Sequence, residues 1–200
     1  LEHANPLVKV TIVPRGQALG AAWYLPEERQ ITTKAQLLDQ MVSLLGGRAA
    51  EELVFGEVST GALNDLERVT KQAYAMVVYY GLDKEIGNLS FYDSSGQSEY
   101  GFQKPFSEKT AEKIDAQIRT MVEEAYEKAK SLLKDNREKL DALAQILVER
   151  EVIFREDVEA IYGPRPWDAE TEIKKDETET KKEKIEIKKE EIEIKKENDE

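Results

Sequence analysis

The spacing of apolar residues near the start of the chain predicts a strand. Residues 8–14 alternate apolar and polar positions, as a half-buried strand does. The apolar positions on one side are Val8, Val10 and Ile12. A turn at residues 14–16 and a second extended segment ending at Pro26 follow, so we predict that the two segments pair as a β-hairpin.

From residue 32 onward the spacing changes to three and four residues, which predicts helices with one buried face. A threonine at 32–33 is the candidate N-cap of the first helix. Gly46-Gly47 is expected to interrupt this helix, and Gly56 is expected to end the segment that follows. A further helix from Asn64 is expected to stop at Gly81, because glycine suits a C-terminal cap.

The second half of the chain predicts more helices. Ser107 opens the longest apolar stripe, and Asn136 separates it from a second helix, which predicts an antiparallel helical hairpin. A short amphipathic helix around 158–161 comes next. We therefore predict a mainly α domain over residues 1–167, with a small β-hairpin near its N-terminus.

Residues 168–200 differ in composition from everything before them. They carry fourteen acidic residues and nine lysines, and IEIKKEE repeats as IEIKKEN. The repeated isoleucines lie two apart, on opposite sides of a helix, so no apolar seam for a coiled coil forms. We predict a disordered, low-complexity charged tail, with a binding tail as the open alternative.

The overall composition excludes several function classes. The net charge is −12, and no basic face is visible that would neutralise phosphates, which argues against a nucleic-acid ligand. The chain contains no cysteine, which excludes disulfides and thiol nucleophiles. No apolar run approaches the roughly 20 residues of a membrane helix. The opening LEHANPL is expected to lie inside a longer protein.

Four residues in three segments are candidates for chemistry, and each is weighed against a structural role. In GALNDLERVT, residues 61–70, Asn64 is a candidate helix cap, and Asp65 suits either the positive end of the helix dipole or a ligand site. Glu51 follows two alanines on an apolar face, as a rim residue or as a hydrogen-bond partner for a buried cation or imidazole. The single histidine, His3, has no nucleophile to pair with, which disfavours a catalytic triad.

Several long motifs together resemble the peptidase domain of the FtsH-type AAA+ zinc metalloproteases over residues 1–167. They are EHANPLVKVTIVPRG, LLGGRAAEELVFG, STGALNDLERVT, KPFSEKTAEKID and GPRPW. In that family an upstream helix carries HExxH, in which two histidines hold Zn²⁺ and the glutamate activates the bound water. The resemblance implies that Asp65 is the third zinc ligand. It also implies that Glu51 orients a zinc-bound imidazole, with a direct ligand role as its second choice.

The resemblance also suggests how a substrate would bind. The strand containing Val10, Thr11 and Ile12, or its hairpin partner, is a candidate for pairing with an extended substrate backbone. Such pairing needs little side-chain recognition, which suits a protease of unfolded chains. A purely structural hairpin is the alternative.

Parts of the family pattern are missing from this sequence. It contains no HExxH, no G-x-x-x-x-G-K-[ST] phosphate loop for ATP and Mg²⁺, and no membrane helix. We therefore expect a catalytically inactive C-terminal part of an ATP-dependent, membrane-anchored protease with no catalytic residue of its own. The intact protein is expected to form a homo-hexamer and to degrade unfolded or misassembled proteins. Its peptidase domain is expected on the cytoplasmic side of a bacterial inner membrane, or on an organelle's matrix side. A non-catalytic assembly module or a pseudoprotease is the alternative.

Overall fold

A computed structural model describes most of the chain. The described residues are 1–14, 16, 19–25, 31–92 and 105–165. Leu1–Ile153 form one compact unit, and a second unit begins at Phe154. The predicted tail, 168–200, and the predicted boundary at residue 167 lie outside the described residues.

The fold is mainly α with a small sheet, as the sequence predicts. In chain order the elements are β1 Leu7–Thr11, β2 Ala21–Tyr24, α1 Lys34–Phe55, a 3₁₀ turn Thr60–Ala62, α2 Leu63–Tyr74, a π-helical turn Ala75–Tyr79, α3 Glu108–Asp135, α4 Arg137–Arg150, β3 Val152–Phe154 and α5 Arg155–Tyr162. In the described part of the chain, no helix combines the length and apolarity needed to cross a membrane.

Helix α1 joins into one helix two segments that the sequence predicts to be separate. Thr33 is its N-cap and forms a capping box with Gln36, whose side chain accepts the Thr33 N–H at 2.7 Å. Gly56 caps the other end with φ of 76°. The expected interruption at Gly46-Gly47 is wrong, because α1 runs through both glycines. A methyl group added at either would meet nothing within 4 Å, so these glycines are not there for close packing.

Helix α2 departs from the expected regular helix at both ends. It begins at Leu63 rather than Asn64, and its last turn widens into the π-helical turn Ala75–Tyr79. The Tyr80 N–H donates to the Ala75 carbonyl at 2.9 Å, five residues back, as a π-turn requires. Gly81 then takes the left-handed φ of 61°, so the chain leaves the helix at the predicted residue.

The core lies where α1, α2, the π-turn and α3 meet. Its side chains come from one face of each helix and are closed to water. They include Met41, Leu45, Val69, Ala73, Met76, Val77, Val78, Ile114, Met121 and Ala125. Ser107 caps α3 and Asn136 separates α3 from α4, as predicted. This three-helix core fixes α1 and α2 side by side, which matters for the candidate site.

The sheet has the order β2-β1-β3, so β1 is its central strand. The predicted hairpin is confirmed, because β1 pairs antiparallel with β2, for example Val10 opposite Ala22. The third strand was not predicted. Beside it, the Ile12 N–H donates to the Glu151 carbonyl at 3.0 Å, and the Thr11 hydroxyl donates to the same oxygen at 2.9 Å.

The second unit, as far as it is described, contains α5. The Phe154 N–H donates to the Asp157 carboxylate at 3.0 Å at the start of this helix. Arg155, the first residue of α5, pairs with Glu159 one turn further along the helix at 2.5 Å. The short amphipathic helix predicted around 158–161 is confirmed.

Candidate metal centre

Asp65 lies in the first turn of α2, with its carboxylate accessible to water. The side chain is 43% exposed. Its Oδ1 lies 4.0 Å from Nη1 of Arg68, one turn further along the same helix, so this ion pair is long. A carboxylate held loosely in this way keeps its oxygen lone pairs available for another partner. The position is therefore compatible with a ligand role.

A short turn leads directly into the helix that carries Asp65. Residues 59–62, called the Ser59 turn below, begin with a serine whose Oγ accepts the Gly61 N–H at 3.2 Å. This hydrogen bond caps the 3₁₀ turn, and α2 starts immediately after it. The predicted cap at Asn64 is wrong. The cap position of α2 is Ala62, with no side-chain hydrogen bond, because the preceding 3₁₀ turn already organises the start of the helix.

Glu51, on the last turns of α1, contacts the Ser59 turn. One carboxylate oxygen accepts the Ser59 N–H at 3.1 Å and the other accepts the Ser59 hydroxyl at 2.8 Å. The hydrogen bonds from the Ser59 hydroxyl and amide lower the pKa of Glu51, and the nearby Arg48 charge adds to this effect. Both Glu51 oxygens thus accept hydrogen bonds from Ser59, and the imidazole partner that the resemblance implies for Glu51 stays a prediction.

Strand β2 ends close to Asp65. Burial raises the pKa of the Tyr24 phenol, the negative charge of Asp65 raises it further, and Arg68 opposes them. Tyr24 lines one cleft together with Arg68 and Gln72 of α2, so the end of β2 and α2 are neighbours. This cleft has a volume of about 330 Å³ and is also lined by residues of α1 and the N-terminal segment. Sequence reasoning missed Arg68 and Tyr24. The three-residue spacing from Asp65 to Arg68 was readable, whereas the position of Tyr24 depends on tertiary structure.

The prediction names two candidate substrate strands, the one with Val10, Thr11 and Ile12 and its hairpin partner. Val10, Thr11 and Ile12 belong to or adjoin β1, which has β2 on one side and β3 on the other. Both of its edges face a neighbouring strand, which disfavours the addition of a substrate strand to β1. Among the described strands, β2, Ala21–Tyr24, lies at the edge of the sheet and pairs on one side only.

His3 takes no part in this centre. Its backbone N–H donates to the Asp39 carboxylate at 3.2 Å, on the N-terminal half of α1. Across the described ranges, no group of three or more His, Cys, Asp or Glu side chains is arranged to hold a metal ion. Asp65 is thus a single candidate donor, and a complete zinc site would need ligands from outside these residues.

The chain is similar in sequence to one protein family and to several known proteins. The model of peptidase family M41 matches residues 1–161. The chain is 65% identical over 167 residues to the ATP-dependent zinc metalloprotease FtsH of Parabacteroides distasonis, covering 84% of this chain and 24% of that protein. It is 48% identical to ATP-dependent zinc metalloprotease FTSH 3, mitochondrial, of Arabidopsis thaliana, covering 84% of this chain and 20% of that protein. It is 44% identical to the mitochondrial inner membrane m-AAA protease component AFG3L2 of Mus musculus, covering 84% and 21%. The chain thus spans about a quarter or less of the length of these relatives.

Proposed function

The chain belongs to peptidase family M41, and we propose that it is the C-terminal part of an ATP-dependent zinc metalloendopeptidase in which Asp65 is a zinc ligand. The relatives are named as ATP-dependent zinc metalloproteases, which supports both the metal and the energy source. The single structural observation that carries the ligand assignment is the water-accessible Asp65 carboxylate at the start of α2.

Asp65 fits one position of a zinc site by its chemistry. Carboxylate oxygens are common zinc donors, and the long ion pair with Arg68 leaves this carboxylate without a tight partner in that contact. When bound, zinc would polarise a peptide carbonyl and lower the pKa of its water. The role of this chain is to hold one donor in place. The two histidines and the general base would come from an HExxH helix, so the chain by itself is predicted to be inactive.

The free edge of β2 is the best place for a substrate backbone. Ala22 and Tyr24 of β2 line the cleft together with Arg68, which lies one turn along α2 from Asp65. An extended peptide added to this edge would pass close to the first turn of α2. The hairpin partner of the predicted strand, rather than β1 itself, is therefore the proposed substrate-binding strand.

The remaining features of the intact protein are proposed from its relatives. One relative is named as a component of a mitochondrial inner membrane protease, which supports membrane anchoring. An ATPase module that uses ATP and Mg²⁺, a homo-hexameric ring and unfolded or membrane protein substrates complete the proposal. The peptidase domain is proposed to face the bacterial cytoplasm or an organelle matrix.

The zinc content of a protein that carries this chain behind its HExxH helix tests the assignment. We expect about one zinc per chain in the unaltered protein, and loss or strong weakening of binding in Asp65→Asn. Glu67→Gln is the matched control, because Glu67 lies on the same helix and pairs only with an exposed partner, Lys71, at 2.5 Å. This control is expected to bind zinc normally.

Two outcomes would contradict the proposal. Equal zinc binding by Asp65→Asn and the unaltered protein would return Asp65 to a helix-dipole role. An absence of zinc from every variant would favour the assembly-module or pseudoprotease alternative.

A further inference from the structure

Every polar group of Ser59 is engaged by a residue of α1 or by its own turn. Glu51 accepts both the amide and the hydroxyl of Ser59, at 3.1 and 2.8 Å. Nη1 of Arg48, one turn earlier on α1, donates to the Ser59 carbonyl at 3.4 Å. The Ser59 oxygen Oγ also accepts the Gly61 N–H at 3.2 Å. The amide, the carbonyl and the hydroxyl of Ser59 all take part in hydrogen bonds, although the residue lies outside the regular helices.

The same residue determines where α2 begins. The Ser59 turn passes into α2 at Leu63 without an intervening loop, and Asp65 follows in the first helical turn. A helix that starts from a fixed point places its first side chains along fixed directions. Within the described part of the chain, the Asp65 side chain is held by one long ion pair, to Arg68, so its backbone has to supply the placement.

We propose that Glu51 is a positioning residue that sets the place of the Asp65 carboxylate through Ser59. This inference rests on the proposed function, because it concerns the affinity of the site for zinc. It differs from the role that the family resemblance implies for Glu51, which is to orient an imidazole. Glu51 acts on the carboxylate ligand instead, through the backbone that carries it.

The space around the contact supports a specific fit. A methyl group added at Gly61 would lie 3.3 Å from the Ser59 Oγ and 3.9 Å from Oε1 of Glu51. The connection from the cap at Gly56 to Ser59 contains only Glu57 and Val58. A short connection with little room transmits a change at Glu51 to the start of α2 rather than absorbing it.

The neighbouring residue supplies a matched control. Glu52 has the same charge on the same helix, but its carboxylate accepts the Tyr126 hydroxyl and lies 3.5 Å from Nζ of Lys130, both on α3. Glu51→Gln and Glu52→Gln therefore each remove one negative charge from α1. The first removes it from the contact with Ser59, and the second from the contacts with α3. Only the first touches the Ser59 turn.

The test measures zinc dissociation constants in a protein that carries this chain behind its HExxH helix. Glu51→Gln and Ser59→Ala are each expected to weaken zinc binding about tenfold, the scale found when a partner of a metal ligand is removed. The double variant is expected to be no weaker than either single variant, because both break the same link. Ser59→Thr keeps the hydroxyl and is expected to retain normal affinity, as is Glu52→Gln.

A second readout does not depend on metal. In the metal-free 200-residue chain, Glu51→Gln is expected to speed hydrogen exchange at the Gly61 amide, with no such change in Glu52→Gln. Weakened zinc binding in Glu51→Gln but not in Ser59→Ala would overturn the inference, because Glu51 would then act by another route. Unchanged exchange and unchanged affinity in Glu51→Gln would also overturn it. Failure of the proposed function is distinguishable, since it shows as normal zinc binding in Asp65→Asn.

Discussion

Two carboxylates on α1 hold other parts of the chain, one in the core and one at the surface. Asp39 accepts the Lys128 ammonium of α3 at 2.8 Å and the His3 backbone N–H at 3.2 Å. Glu51 accepts two groups of Ser59. Asp39 is 6% exposed, whereas Glu51 keeps partial access to water.

Because Asp39 is buried and Glu51 is not, we expect the loss of their contacts to have different effects on the protein. A buried carboxylate has lost its hydration, so its partners must replace the water, and losing one of them costs global stability. A surface carboxylate can return to water, so losing its partner costs little stability but releases the segment that it held. We infer that Asp39 serves the folding of the domain, whereas Glu51 serves the placement of Asp65.

The largest expected effect comes from removing the exposed member of the buried pair. Lys128 is 52% exposed on its side chain, yet Lys128→Met leaves Asp39 buried without its ammonium partner, and the His3 amide remains as its hydrogen-bond donor in the described part of the chain. We expect a loss of about 3 kcal/mol in the free energy of unfolding, measured by urea denaturation of the 200-residue chain. The double variant with Asp39→Asn should recover part of this loss. A loss no larger than that of a surface ion pair would contradict the proposed difference in stability between the two contacts, because Asp39 would then behave like Glu51.

Removing the charge of the buried member alone should cost less. Asp39→Asn leaves Lys128 free to reach water, and the new amide oxygen can still accept the His3 N–H. We expect a loss of about 1 kcal/mol, the scale of one net hydrogen bond. Urea denaturation of Asp39→Asn and of Lys128→Met compares their losses in the free energy of unfolding. A larger loss in Asp39→Asn than in Lys128→Met would contradict our account of burial.

Acidification should give the smallest effect and sharpen the comparison. Desolvation acts to raise the pKa of Asp39, but the hydrogen bonds from Lys128 and His3 and their charges lower it on balance. A pKa below the unfolded value means that the stability gained is present above the ordinary aspartate pKa of about 3.9 and is lost as pH falls through the folded value.

The pKa of Glu51 is lowered too, by its bonds from Ser59, so its contribution has the same sign. Stability of the 200-residue chain measured from about pH 5 downward should therefore fall. We expect a shallower fall in Asp39→Asn than in Glu51→Gln, because burial makes the Asp39 contribution the larger. The reverse order would show that the surface contact carries more stability than the buried one.

Local signals predicted the ends of the helices well. Thr33, Gly56 and Ser107 each act on residues within a few positions of themselves, so their roles can be read from a short window. The error at Gly46-Gly47 shows the limit of that window. Packing of α1 against α2 and α3 outweighs the weak helix propensity of two glycines.

The contacts that shape the candidate site lie beyond such a window. The central place of β1 depends on β3, which begins about 140 residues later and contains only Val152–Phe154. Asn64 looked like a cap because the sequence does not show the 3₁₀ turn before it. Asp65 was found through resemblance, and the position of Tyr24 beside α2 became visible only when distant segments were brought together.

The π-helical turn at Ala75–Tyr79 has a consequence for insertions and deletions. Its hydrogen bond from Tyr80 to Ala75 spans five residues, one more than an α-turn does. Removing one residue there leaves an ordinary α-turn available to the chain. The same deletion in the middle of α1 would turn the rest of that helix by about 100° and carry its core side chains out of register. The chain can thus lose one residue at the end of α2 during evolution and still leave the helix at Gly81.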